Sequence, residues 1–432
     1  MNKTIKISVD SIILDIIEYI IVIMSIIVSS SVWVQKEVKI LNTYTCLFSC
    51  YFLVIVYILI RRFKLNNRMI IMMLFIEICM FASVILHSQF YLSILLIIAM
   101  VTFSCIFGMA CYSCGRLNII YTKFVNVACV LSLISLIFYI IVHFFNWLKP
   151  TRYYVLKWSW VSKVPSYYDL YYDAMPAGLD GRILARNCGI FPESPMFMYP
   201  LCLALMLNEL LIENRSVKKT IILLIAIVSS FSSTGFIIII LLLTYKLIKR
   251  KKKVITLKTL LIPLIIFMGL FWAYDVFIAR LSTGSGRVRI DHVYACLKAF
   301  SSTMGLGCGI GNELYVERFM TYKQGASVGL LHLLATGGIL WGMVYLVPWI
   351  KGIVVSIKHR NLNKVVFSVL FFILLFMTAC HLKINTWFIF GVTIFTWSYS
   401  TREIESKERE IESKEREIES KENIIIKNYK SI

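Results

Sequence analysis

Long apolar runs alternate with short polar turns along most of the chain, and two long polar interruptions divide the series. Runs of roughly 17–25 apolar residues are long enough to cross the hydrocarbon core of a bilayer. They are continuous rather than alternating, which excludes an outer-membrane barrel. The pattern predicts an all-α polytopic membrane protein with about twelve transmembrane helices, at about 19–34, 45–60, 69–86, 91–111, 124–145, 195–212, 219–231, 235–248, 255–275, 328–350, 364–380 and 384–399.

Basic clusters set the predicted orientation. Arg61 and Arg62 follow the second run and KRKKK at 249–253 follows the eighth, which marks both turns as cytoplasmic and places both termini inside. The two interruptions, at about 146–193 and 276–326, are then external loops. Residues 1–400 form the predicted transmembrane domain.

Residues 401–432 form a charged tail in which REIESKE occurs three times. Each heptad has one apolar position, whereas a coiled-coil seam needs two. The sequence therefore favours a solvated cytoplasmic helix over an oligomerisation device.

Three features near the apolar runs carry charge. Residues 4–18 are expected to lie at the interface as an amphipathic helix. The turn with Arg116 and Lys123 is expected to be cytoplasmic. Glu77 lies within the third run, where an acid marks either a functional position or a pair with a polar neighbour.

Composition narrows the function classes. The chain is 59% hydrophobic and 16% charged, with a formal net charge of +21. In a membrane protein such an excess of basic residues sets the orientation of the chain, and it does not by itself indicate nucleic-acid binding. Cys111 and Cys114 form a lone CxxC without a second pair, so no metal and no cofactor are predicted.

The first interruption ends in GRILARNCGIFPESPMF, which carries Arg182, Arg186 and Glu193 just before the next apolar run. A polar segment in such a chain must be solvated or line a polar cavity. One interpretation is half of a site for an anionic lipid-linked substrate, because arginine suits bidentate contacts to phosphate. The alternative is an ordinary connecting loop.

The second interruption adds Arg280, Arg287 and Arg289, then GLGCGIGN at 305–312, which ends in Asn312. Arg287 and Arg289 would point the same way in an extended segment. The glycines are compatible with an anion-binding nest or with a flexible loop. His332, at the start of the tenth run, is a candidate to orient a hydroxyl or act as a base, or has a structural role.

The order of these features resembles the O-antigen polymerase and O-antigen ligase superfamily, especially its Wzy-type polymerases. It comprises an external Arg with Gly-Ile-Phe-x-Glu, a serine-hinged pair of short spans, an external Ser-Gly-Arg, the glycine run and a His before Gly-Gly-Ile-Leu. The match covers roughly 180–345 by motif and the remainder by topology. It implies a GT-C-like membrane fold.

The resemblance implies metal-independent transfer of glycan from undecaprenyl diphosphate outside a bacterial cytoplasmic membrane. It places Arg186, Arg287, Glu193 and His332 in catalysis, with Arg182, Arg289, Arg280 and Asn312 expected to bind substrate. Two departures are visible. Glu193-Ser194-Pro195 replaces the usual Glu-Pro, and Leu333 follows His332 where ligases have a polar residue.

The resulting prediction is a polymerase of lipid-linked repeat units in O-antigen or capsule biosynthesis. It would move the growing chain onto a new lipid-linked unit. The expected partners are the lipid-linked oligosaccharide and membrane lipid, with a chain-length regulator and a flippase as further candidates and no nucleic acid. The alternatives are an O-antigen ligase and a repeat-unit flippase or other transporter.

Overall fold

A computed structural model describes residues 2–35, 38, 40–61, 67–88, 91–156, 163–177, 184–249, 284–322 and 327–398. Helices dominate these ranges. They are α1 Asn2–Ser30, α2 Thr43–Arg61, α3 Asn67–Leu86, α4 Leu92–Ser113, α5 Leu117–His143, α6 Ser194–Met206, α7 Val217–Ser229, α8 Ser233–Lys249, α9 Gly284–Ser302, α10 Glu313–Glu317, α11 Gly329–Lys358, α12 Leu362–Met377 and α13 Ile384–Phe390. Short π-helical turns follow α6 at Leu207–Leu211 and α13 at Gly391–Phe395.

Seven helices in the described ranges are long and apolar enough to cross a membrane. They are Ile12–Ser30 of α1, α2, α3, α4, α5, α6 with its π turn (Ser194–Leu211), and α11. The prediction of an all-α membrane protein is therefore confirmed, while the count of twelve and the GT-C-like arrangement stay predictions. The predicted span at about 255–275, the tail 401–432, Arg182 and Arg280 lie outside the described residues.

Contacts between distant segments show which helix ends lie together. Val32, after α1, donates its N–H to the Ile190 carbonyl, and Asn385 of α13 donates to Ser29 Oγ of α1. His87, after α3, contacts the carbonyl of Gly307 at 3.0 Å. Both polar interruptions therefore lie at one end of the bundle, which we call the loop end. The alternation of spans predicts this grouping.

The first interruption contains a small antiparallel sheet, which the spans alone do not predict. Its strands are β1 Arg152–Tyr154, β2 Val164–Tyr167 and β3 Tyr171–Tyr172, in the order β1-β2-β3. The sheet supports the segment that follows it. The Tyr172 N–H donates to the Gly189 carbonyl, and the Arg186 N–H donates to that of Met175.

The described part of the second interruption begins with helix α9, so its arginines are not in an extended segment. Arg287 and Arg289 both lie on α9. Two positions along an α-helix turn the side chain by about 200°, so the pair does not share a face. Arg287 is exposed, whereas Arg289 is half-buried near His292 on the side that packs toward α11.

The first helix corrects a second expectation. α1 continues from Asn2 to Ser30, and its Glu18 is fully buried instead of lying at an interface. Glu18 accepts hydrogen bonds from Arg116 at 2.6 and 2.9 Å and from Lys123 at 2.6 Å. Lys123 lies within α5 and is buried, so it is not part of a solvated turn. Because the charges compensate one another, the helices can bury them.

Candidate functional site

The segment that carries Arg186 is held at the loop end by a buried asparagine. The Asn187 N–H donates to the Ser229 carbonyl at 3.0 Å, and its side-chain amide donates to Ser229 Oγ at 3.0 Å. The amide oxygen accepts from Ser135 Oγ and from the Gly189 N–H. Asn187 thereby joins α5, the end of α7 and its own loop. The backbone at Arg186 is held by two hydrogen bonds, from its own N–H to the Met175 carbonyl and from the Asn187 N–H to the Ser229 carbonyl.

Glu193 lies at the N-cap of α6, half-buried, yet its side chain does not cap the helix. Pro195, near the start of the helix, has no N–H to offer. Burial raises the pKa of the Glu193 carboxyl from its ordinary value of 4.5 to about 7. A carboxyl with a pKa near neutrality is suited to exchange a proton with substrate.

The pKa of the Cys188 thiol is shifted by the charged groups that lie near the segment carrying Arg186. Burial, and then the carboxylates of Asp173 and Glu193, raise the pKa of its thiol, while Arg186 opposes the rise. One arginine and two acids therefore lie within electrostatic range of a single buried sulfur. Arg186 and Glu193 therefore share this environment.

Asp173 is an acid that the sequence prediction missed. Its Oδ1 lies 3.7 Å from His143 Nε2 and accepts a hydrogen bond from no residue in the described ranges. Burial raises the pKa of this carboxyl to about 6. Only its tertiary burial distinguishes it from the other acids of the loop, so no sequence signal marks it.

The turn between α12 and α13 carries His381, which contacts His332. Burial raises the pKa of the Cys380 thiol to about 11, Lys383 and the Thr378 side chain oppose the rise, and Glu193 adds to it. Next to Cys380, the Nε2 atom of His381 lies 3.4 Å from Nδ1 of His332. The Glu193 carboxyl is therefore within electrostatic range of both the Arg186 segment and the turn that contacts His332.

The glycine run at 305–312 is hydrogen-bonded to α11. The N–H groups of Cys308 and Gly309 donate to the carbonyls of Ala335 and Thr336, and the Gly307 N–H donates to Thr303 Oγ1. A methyl group on Gly307 would lie 2.4 Å from the Gly338 nitrogen, so the two backbones touch. These three N–H groups donate to atoms of the protein. An anion-binding nest would need them to point at a ligand, so the run is a structural loop.

The remaining candidates lie apart from this group. Asn312 is exposed, and its side chain donates to the Cys308 carbonyl at 3.1 Å. No contact between described residues joins Arg287 to Arg186, Glu193 or His332, although α9 packs against α11 near His332. The structure thus places Arg186 and Glu193 on one anchored segment with Asp173 nearby, and it places His332 against His381.

Comparisons with protein-family models, curated proteins and solved structures returned no match.

Proposed function

We propose that the loop end polymerises lipid-linked glycan repeat units. The observation that carries the proposal is the shared anchorage of Arg186 and Glu193. Their chain neighbours Asn187 and Ser194 are both hydrogen-bonded to the end of α7, at Ser229 and Ser230. A diphosphate leaving group needs cationic donors, and an acceptor hydroxyl needs a base. Arg186 and Glu193 have these two properties.

The reaction is an inverting displacement. The acceptor hydroxyl oxygen attacks the anomeric carbon of the growing chain, and the bond from that carbon to the diphosphate oxygen breaks. The electron pair stays on the diphosphate, where the Arg186 guanidinium stabilises it. The hydroxyl proton passes to the Glu193 carboxylate, whose pKa near 7 lets it be a base at neutral pH and later release the proton.

The test is the surface-glycan profile of a deletion strain that carries wild-type or Arg186→Ala protein. We expect the variant to lose the long ladder and keep a single repeat unit on its normal acceptor. Arg152→Ala is the matched control, since Arg152 is a mostly exposed arginine of the same loop that pairs with Asp169. A wild-type ladder from Arg186→Ala protein contradicts the proposal. Loss of all acceptor-bound glycan with long lipid-linked chains retained indicates a ligase.

A second candidate function, transport of repeat units, is favoured by the buried charges on the membrane helices. Besides the Glu18 group, Glu209 is buried and pairs with Arg215 and Lys246. Charges inside a helical bundle are a frequent feature of transport pathways. In the same strain, repeat units trapped on the inner face would indicate transport.

A further inference from the structure

His332 and His381 form a contact that limits where their protons lie. Nδ1 of His332 is 3.4 Å from Nε2 of His381, and the ring centroids are 5.3 Å apart. This is the one side-chain hydrogen bond of His332 among the described residues. His381 is held in place in turn, because the Tyr345 hydroxyl donates to its carbonyl oxygen.

Two neutral imidazoles can place only one hydrogen between those nitrogens, so two arrangements exist. If His381 donates through Nε2–H, its Nδ1 is a bare lone pair and His332 carries its hydrogen on Nε2. If His332 donates through Nδ1–H, His381 must carry a hydrogen on its own Nδ1. The His381 Nδ1 atom therefore decides between them.

That atom is buried and hydrogen-bonded to no residue in the part of the chain that the structure describes. Orphaned buried N–H donors are rarer in proteins than under-satisfied acceptors. A doubly protonated His381 is disfavoured as well, because burial lowers its pKa. The arrangement with a bare Nδ1 on His381 is the one that fits.

We infer that His381 is a positioning residue that fixes His332 as a hydrogen-bond donor through Nε2–H. The inference deepens the proposed function and rests on it for its chemical meaning. His332 then donates to an anionic oxygen of the diphosphate leaving group and keeps its proton throughout. The proton of the acceptor hydroxyl goes to the Glu193 carboxylate, and no proton passes through the histidine pair.

The first experiment compares His332→Gln with His332→Ala in the deletion strain. The glutamine amide places an N–H close to the position of Nε2–H and cannot act as a base. We expect His332→Gln to keep polymer output within about tenfold of wild type and His332→Ala to lose about a hundredfold or more, as removal of a transition-state donor does. Equal, complete loss in both variants, with both proteins folded in the membrane, would overturn the inference.

The same comparison at His381 tests its positioning role. His381→Gln keeps a donor toward His332, whereas His381→Leu fills the space without one. We expect glutamine to preserve most of the polymer and leucine to reduce it. Equal output from the two variants would show that the ring only fills space.

The second experiment measures the tautomer without any substrate. Long-range 1H–15N spectra of the full chain, labelled at histidine and held in detergent, distinguish Nε2–H from Nδ1–H rings. His292 is an internal reference, since its Nδ1 accepts from the Ser327 N–H at 3.0 Å and its Nε2 faces the Tyr322 carbonyl at 3.1 Å. The signal absent from His332→Gln protein belongs to His332, and we expect it to show Nε2–H.

An Nδ1–H pattern for His332 would overturn the inference even if the protein polymerises glycan. A wild-type copy that restores no ladder would overturn the proposed function while the tautomer result stands. The two failures are therefore distinguishable.

Discussion

The side-chain amide of Asn187 donates to the hydroxyl of Ser229 at 3.0 Å, across 42 residues of chain. Ser229 ends α7, and the next residue, Ser230, accepts through its carbonyl from Ser194 Oγ at the start of α6. The serine-rich hinge between α7 and α8 thus holds both ends of the segment that carries Arg186 and Glu193. The serines of this hinge therefore also hold the segment in place through hydrogen bonds.

The first prediction concerns this anchor. Asn187→Ala leaves Ser135 Oγ and the Gly189 N–H without their partner, and each unsatisfied buried group costs about 1–3 kcal/mol. We expect a lower melting temperature and at least a tenfold loss of polymer. Ser229→Ala is the control, because it removes only one of the three side-chain bonds of Asn187 and leaves those to Ser135 and Gly189 intact. Equal effects of the two changes would show that Asn187 is not the anchor.

The second prediction follows from the raised pKa of Glu193. A buried carboxyl whose pKa rises from 4.5 to about 7 stabilises the fold below pH 4.5 relative to higher pH, and that contribution is lost as the pH rises through 7. Glu193→Gln removes the buried charge. We expect it to raise the free energy of unfolding at pH 8 by up to about 3 kcal/mol and to have little effect at pH 4.

The measurement is thermal unfolding in detergent at the two pH values. Glu313→Gln is the matched control, because Glu313 is an exposed glutamate at the same end of the bundle. A Glu193→Gln protein that is equally stabilised at pH 4 and pH 8 would rule out burial of the charge as the cause. If Glu193 is also the base, the stabilised variant makes no long polymer.

The hydrophobic pattern predicts helix positions well because span length is set by the bilayer and visible in the sequence. Arg186 and Glu193 are also predictable as neighbours, since only six residues lie between them. The contact of His332 with His381 and the burial of Glu18 are not, because each depends on packing between helices far apart in sequence. Hydropathy likewise assigns 284–302 to a loop, because the polar residues on one face of α9 offset the apolar residues on its buried face.

The third prediction compares glycines with similar backbone and different surroundings. Gly307, with φ +83°, would place a methyl group 2.4 Å from the Gly338 nitrogen, whereas Gly311, with φ +84°, has open space. Alanine at either position pays about 1–2 kcal/mol for the left-handed conformation. Only Gly307→Ala must also separate two backbones. We expect Gly311→Ala to accumulate in the membrane and Gly307→Ala to be degraded, as measured by quantitative immunoblot.

Two other outcomes would contradict this account of the loop. If both variants accumulated equally, the close approach of Gly307 to Gly338, where α11 has non-helical dihedral angles, would not be needed for folding. If Gly311→Ala alone failed, the open space beside it would belong to a ligand or partner.

The fourth prediction concerns the buried charges far from the loop end. Glu18→Gln removes the carboxylate that both Arg116 and Lys123 contact, and breaking a buried ion pair typically costs about 3–5 kcal/mol. Arg215→Ala is the control, because the Arg215 side chain is 55% exposed and its buried partner Glu209 keeps the ion pair with Lys246. We expect a large drop in melting temperature for Glu18→Gln alone.

The joint outcome of stability and glycan profile decides what this network does. A destabilised Glu18→Gln protein whose surviving fraction still makes long polymer assigns the network to folding, because the proposed polymerisation site is at the loop end. A variant as stable as wild type would contradict the ion-pair argument. If that stable variant also trapped repeat units on the inner face, the charges would belong to a transport pathway, and the second candidate function would replace the first.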